Sequence, residues 1–102
     1  MNSKELRCVV LSVSTARVTT IPNTLKALQA QVKGPIEIFD TKGDLVFLCN
    51  GEGHLKGMVP NPYICGIVGP VVIVSSEEDE LTSFTSLSDA EIEWIKERTV
   101  RE

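Results

Sequence analysis

The chain has 102 residues, 42% apolar and 24% charged, with a formal net charge of −4 at pH 7. That length is enough for one ordinary core and too short for two, which predicts a single domain over residues 1–102. No apolar run approaches the roughly 20 residues that cross a bilayer, and Met1–Glu5 are polar, so neither a membrane anchor nor a signal peptide is expected.

The charge is unevenly spread. Residues 1–60 carry seven Lys/Arg against five Asp/Glu, for +2, and residues 61–102 carry three against nine, for −6. Nucleic acid is held by clustered cations that displace counterions, and these cations stand singly, so direct binding of DNA or RNA is not expected. Isolated cations leave room for one small anionic ligand.

Leu6–Val13 (LRCVVLSV) is apolar at both alternating sets of positions, as in a strand covered on both faces. After a polar break, Arg17–Ile21 (RVTTI) reads as a β-branched strand antiparallel to the first. Asn23 is placed to cap a helix in which Leu25, Leu28 and Val32 recur at intervals of three and four. Gly34 offers a left-handed stop, and Pro35 forbids continuation. Ile36–Phe39 and Leu45–Cys49 form a hairpin around Thr41-Lys42-Gly43.

Residues 51–63 make an irregular loop rich in Gly, Pro and Asn, with the single histidine, His54. Gly66–Val74 is the longest apolar run, but Gly69-Pro70 demands a bulge or an edge position, since proline cannot donate to a ladder. Residues 77–86 are an acidic connector. Ser88 and Glu91 then form a capping box, Leu87 and Ile92 a hydrophobic staple, and a helix runs over 88–98. Ile92 and Ile95 share its buried stripe, with Trp94 to one side. The order of elements predicts an α+β domain: a mostly antiparallel five-stranded sheet with two helices.

The chemistry on offer is thin. Cys8, Cys49 and Cys65 lie in apolar segments at irregular spacing, which points to reduced, buried thiols. Cys49, His54 and Cys65 fall short of the four closely spaced ligands of a structural zinc site, so no metal and no cofactor is expected. A Cys49–His54 pair would need an exposed sulfur, whereas the end of an apolar strand buries it; no enzyme is predicted. Glu77, Glu78, Asp79 and Glu80 read as a solvated connector.

The loop is the best candidate. Gly51, Gly53 and Gly57 allow backbone N–H groups to converge on phosphate oxygens. His54 and Lys56 add a donor and a charge, Asn50 and Asn61 can read a base or ribose edge, and Tyr63 offers a ring for stacking. Arg17 is an outlying candidate, reached if the second strand approaches the loop. Loops of this composition also commonly do no more than join strands.

Taken in order, several of these residues resemble a family of small proteins of phages and mobile elements defined only as a domain of unknown function. They are Leu25, Leu28, Gln29, Val32, Gly34, Ile36 and Glu37, then Asn50, Gly51, Glu52 and Gly53, Gly57 and Asn61, the strand from Ile67 to Val74, and Leu87-Ser88-Asp89. The resemblance spans about residues 5–98; Gly51 departs from the commoner acidic residue, so no charge role carries over to it. It brings no catalytic residues. It implies a phage accessory protein in the cytosol of a bacterial host.

By analogy with small phage proteins that block host defence, the expectation is a homo-oligomer that sequesters a nucleotide-derived immune signal, ADP-ribose-like or cyclic, without cleaving it. Phe84, Trp94 and the last helix are candidate contacts between copies. The alternative is a protein–protein inhibitor that docks on a defence protein through the acidic C-terminal region.

Overall fold

Strict alternation of side chains along the strands sets the architecture. In a computed structural model, which describes residues 5–12, 15–64, 66–76 and 84–99, the chain forms six strands and two helices. These are β1 (Glu5–Leu11), β2 (Ala16–Pro22), α1 (Leu25–Val32), β3 (Ile36–Lys42), β4 (Leu45–Asn50), β5 (Val71–Ser76), β6 (Phe84–Thr85) and α2 (Asp89–Thr99). The main sheet runs β2-β1-β5-β4-β3, with every pairing antiparallel. The α+β class with two helices therefore holds. The residues Val13, Cys65 and Glu77–Glu80 named above lie outside the described residues.

Strands β4 and β5 are buried at every position, which requires cover on both faces of the sheet. On one face Val9, Leu11, Phe47 and Ile73 pack under Leu87, Ile92 and Ile95 of the α2 segment. On the other, Leu6, Val10, Leu48 and Val72 pack under Leu28 and Val32 of α1. The result is a helix–sheet–helix sandwich with one apolar cluster on each side.

The ends of the elements depart from expectation in instructive ways. Thr24, not Asn23, caps α1: its backbone is extended and its hydroxyl accepts from the Ala27 N–H at 3.1 Å. Asn23 instead donates its amide to the Phe84 carbonyl. The left-handed residue at the other end is Lys33 (φ 67°), not Gly34. The hairpin turns tightly at Gly43-Asp44, with Lys42 opposite Leu45 and Gly43 at φ 59°, and β3 carries a bulge between Ile38 and Asp40.

β5 starts at Val71, later than the apolar run suggests. Gly69 takes φ 83° and Pro70 has no N–H, so the ladder cannot begin before them.

The sixth strand lies within the acidic connector. β1 and β5 pair only between Val9–Leu11 and Val71–Ile73, then diverge. β6 fills the gap, setting Thr85 opposite Ser75 and Phe84 opposite Ser76. Just beyond it, Arg7 donates its N–H to Ser86 Oγ (2.8 Å) and accepts from the Leu87 N–H (2.9 Å). The capping box of α2 is present in full: the Ser88 N–H donates to Glu91 Oε1 (2.8 Å), and the Glu91 N–H to Ser88 Oγ (3.2 Å).

Candidate functional site

Between β4 and β5 the chain folds over the end of the sheet by bonding to itself. The Gly51 N–H donates to the Pro35 carbonyl (2.8 Å), that of Gly53 to Asn50 (3.2 Å) and that of Gly57 to His54 (3.2 Å). The three glycine N–H groups expected to cradle a phosphate thus already have acceptors within the protein. The return leg is pinned by Asn61 N–H to Ile67 O (2.9 Å), Gly69 N–H to Val59 O (2.8 Å) and a bridge between Pro60 and Val68.

Both asparagines are structural. Asn50 is buried; it donates to the Val32 carbonyl at the end of α1 (2.9 Å) and accepts from the Glu52 N–H (2.6 Å). Asn61 is buried too, donating to Leu11 O (2.8 Å) and Gly69 O (2.9 Å) and accepting from the Tyr63 N–H (2.9 Å). An amide so engaged has little capacity left to read a ligand. The Tyr63 ring packs half-buried against the α2-side cluster.

Of the remaining candidates, Gly51, Gly53 and His54 border one hollow, Arg17 and Gly57 another, and Lys56 lines neither. The smaller, about 260 Å³, is bordered by Gly51, Gly53 and His54 together with Glu37, Glu52 and Cys49. Two carboxylates make it a poor seat for an anion. Burial, with Glu37 adding to it, pushes the Cys49 thiol up, so this sulfur is a poor nucleophile beside His54. Lys56 is half-exposed and meets Glu52 at 3.7 Å, a surface pair of small energetic value.

The larger hollow, about 500 Å³, lies where β2, the end of α1 and the loop meet. Its walls include Arg17 and Lys33, the amide of Gln31, and the apolar groups of Met58, Val59 and Pro70. Among the described residues no Asp, Glu, His or Cys lines it. Neither Arg17 nor Lys33 forms an ion pair among the described residues. Arg17 is placed by its register opposite Val10, in the seven-residue pairing of β1 with β2. Met58 is held close over Gly69, where a β-carbon would come within 2.6 Å of its sulfur.

Arg17 and Gly57 therefore share a hollow, while Gly51, Gly53 and His54 border the other one. Lys33 and Gln31 were not singled out by the sequence. The one available signal was Lys33's position before Gly34-Pro35, where a stopping helix turns left-handed and swings its last side chains away from the helix axis.

Among the described residues no group of three His, Cys, Asp or Glu side chains could hold a metal ion. No helix among them is long and apolar enough to cross a membrane. Residues 6–99 match the model of a family described as Domain of unknown function (DUF3846). No curated protein and no solved structure matches the chain.

Proposed function

The chain belongs to the DUF3846 family of domains of unknown function, and from that premise we propose that it is a non-catalytic binding module for a small, nucleotide-like anion. The observation that carries this reading is the hollow of about 500 Å³ lined by Arg17 and Lys33, which among the described residues has no carboxylate in its lining and no ion pair to either cation. Its volume falls within the roughly 300–1,000 Å³ usual for small-molecule sites, and its mixture of apolar wall and few polar groups is typical of them.

Binding without cleavage fits the same lining. Among the described residues of its lining there is no histidine, cysteine or carboxylate to act as base or nucleophile, and the Ser12 hydroxyl at its edge is engaged with Thr15. His54 and Cys49 border a different hollow.

The biological setting we propose is a phage accessory protein in the bacterial cytosol that sequesters a host immune signal, of ADP-ribose or cyclic-nucleotide type, as a homo-oligomer. We propose that a second copy closes the larger hollow.

Retention measures this directly. The protein is incubated with ADP-ribose or a cyclic dinucleotide, freed of unbound ligand and heated. Release of intact nucleotide, lost in Arg17→Ala, supports sequestration. A cleaved product identifies an enzyme instead. No retention of either probe points to a protein partner, for which the acidic C-terminal region is the alternative surface. Light scattering reports whether the protein is an oligomer.

A further inference from the structure

Lys33 adopts φ 67° and ψ 36°, the left-handed conformation that costs an L side chain energy and normally falls to glycine or asparagine at a helix end. Gly34 follows immediately but has no positive φ, so the left-handed stop falls to the lysine and not to the glycine beside it. Residues kept in such conformations gather at ligand sites, where the side chain's placement compensates for the backbone. Lys33 borders the larger hollow together with Arg17 and has no ion pair among the described residues. Two cations on one concavity, without a counter-ion among the described residues, are the chemistry that phosphate oxygens call for.

The rest of the lining narrows the ligand. Met58, Val59 and Pro70 give a polarizable and apolar wall suited to a flat ring, and the Gln31 amide can meet a ring's hydrogen-bonding edge. Magnesium-bound polyphosphates are usually held partly through carboxylates on the metal, and no Asp or Glu among the described residues lines this hollow.

Resting on the binding reading above, we infer that the ligand is a nucleotide with one or two phosphate groups, taken up free of divalent metal. Its phosphate meets Arg17 and Lys33, and its base lies against Met58, Val59 and Pro70. Lys33 is a binding residue maintained at a cost in backbone strain.

The test is titration calorimetry of the full chain with AMP, ADP-ribose and adenosine, in EDTA and then with excess Mg²⁺, beside thermal melts of Lys33→Gly and Arg17→Ala. The expected result is binding of AMP or ADP-ribose in EDTA, weakened by Mg²⁺, with adenosine at least about tenfold weaker. Lys33→Gly should lose roughly tenfold or more in affinity while its Tm stays level or rises. A merely structural Lys33 would give wild-type affinity in that variant. Adenosine binding as tightly as AMP, a requirement for Mg²⁺, or wild-type affinity in Lys33→Gly overturns the inference and leaves the binding module standing. Absence of heat with all three probes, together with no retention of a cyclic dinucleotide, overturns both.

Discussion

The Asn50 side chain lies against Gly34 so closely that a β-carbon on Gly34 would stand 2.6 Å from Asn50 Nδ2. That contact lets the Asn50 amide reach the Val32 carbonyl at 2.9 Å and close off the exposed end of α1. Gly34 is therefore required for its smallness, whereas the left-handed turn falls to the residue before it. Gly34→Ala should displace Asn50 and destabilise the protein by about 1–3 kcal/mol, as overpacking does. Urea unfolding measures this, and a loss near zero would mean that Asn50 relaxes freely.

Asn61 makes three hydrogen bonds: one buried amide nitrogen donates to Leu11 of β1 and to Gly69 before β5, and its oxygen accepts from Tyr63 within the loop. Asn61→Asp replaces that donor with an acceptor facing two carbonyls. It should cost more than Asn61→Ala, for which roughly 2–3 kcal/mol is expected from the unsatisfied groups left behind. Equal unfolding midpoints for the two variants would contradict this account.

Glu91 serves two partners: it completes the capping box with Ser88 and accepts from Ser75 Oγ of β5 at 3.2 Å. Ser88→Ala should cost about 1 kcal/mol, and Glu91→Ala at least as much, because it also releases the helix from the sheet. Denaturant midpoints for both variants and their double mutant would expose the coupling.

Burial pushes the Cys8 thiol up from 9.0 to about 11, against the opposing pull of Arg17, and Cys49 shifts the same way. A thiol raised in the folded state adds stability below its unfolded value and gives it up as pH climbs through the folded one. Stability should therefore be level in this respect below pH 9 and fall between 9.0 and about 11. The loss from Cys8 is of order 2 kcal/mol. Cys8→Ala should flatten that part of a stability–pH profile measured in urea; an unchanged slope would assign it to other groups.

Local chemistry was the legible part of this chain. The Ser88–Glu91 box, the Leu87 and Ile92 pair and the apolar run of the first strand act over a few residues, so sequence spacing carries them. The roles of Asn50 and Asn61 were not legible. Their partners Val32 and Leu11 lie 18 and 50 residues away, and nothing in an isolated loop separates a ligand-reading amide from one engaged by a distant carbonyl. β6 was hidden for a similar reason: two residues in a polar stretch become a strand only because β1 and β5 part company and leave a space. The larger hollow is built from four separate stretches of chain, and of its walls only Arg17 and Gly57 were legible as site candidates.

The wedge formed by β6 and the residues after it imposes an order on how this protein is made. Arg7, near the beginning, finds backbone partners at Ser86 and Leu87, and the greasy underside formed by Val9, Phe47 and Ile73 is roofed by Ile92 and Ile95. A nascent chain still tethered to the ribosome before those residues emerge has one flank of its sheet bare to water and to other chains. Completion is thus a late, all-at-once event, and a shortened translation product stopping before Phe84 should clump rather than persist.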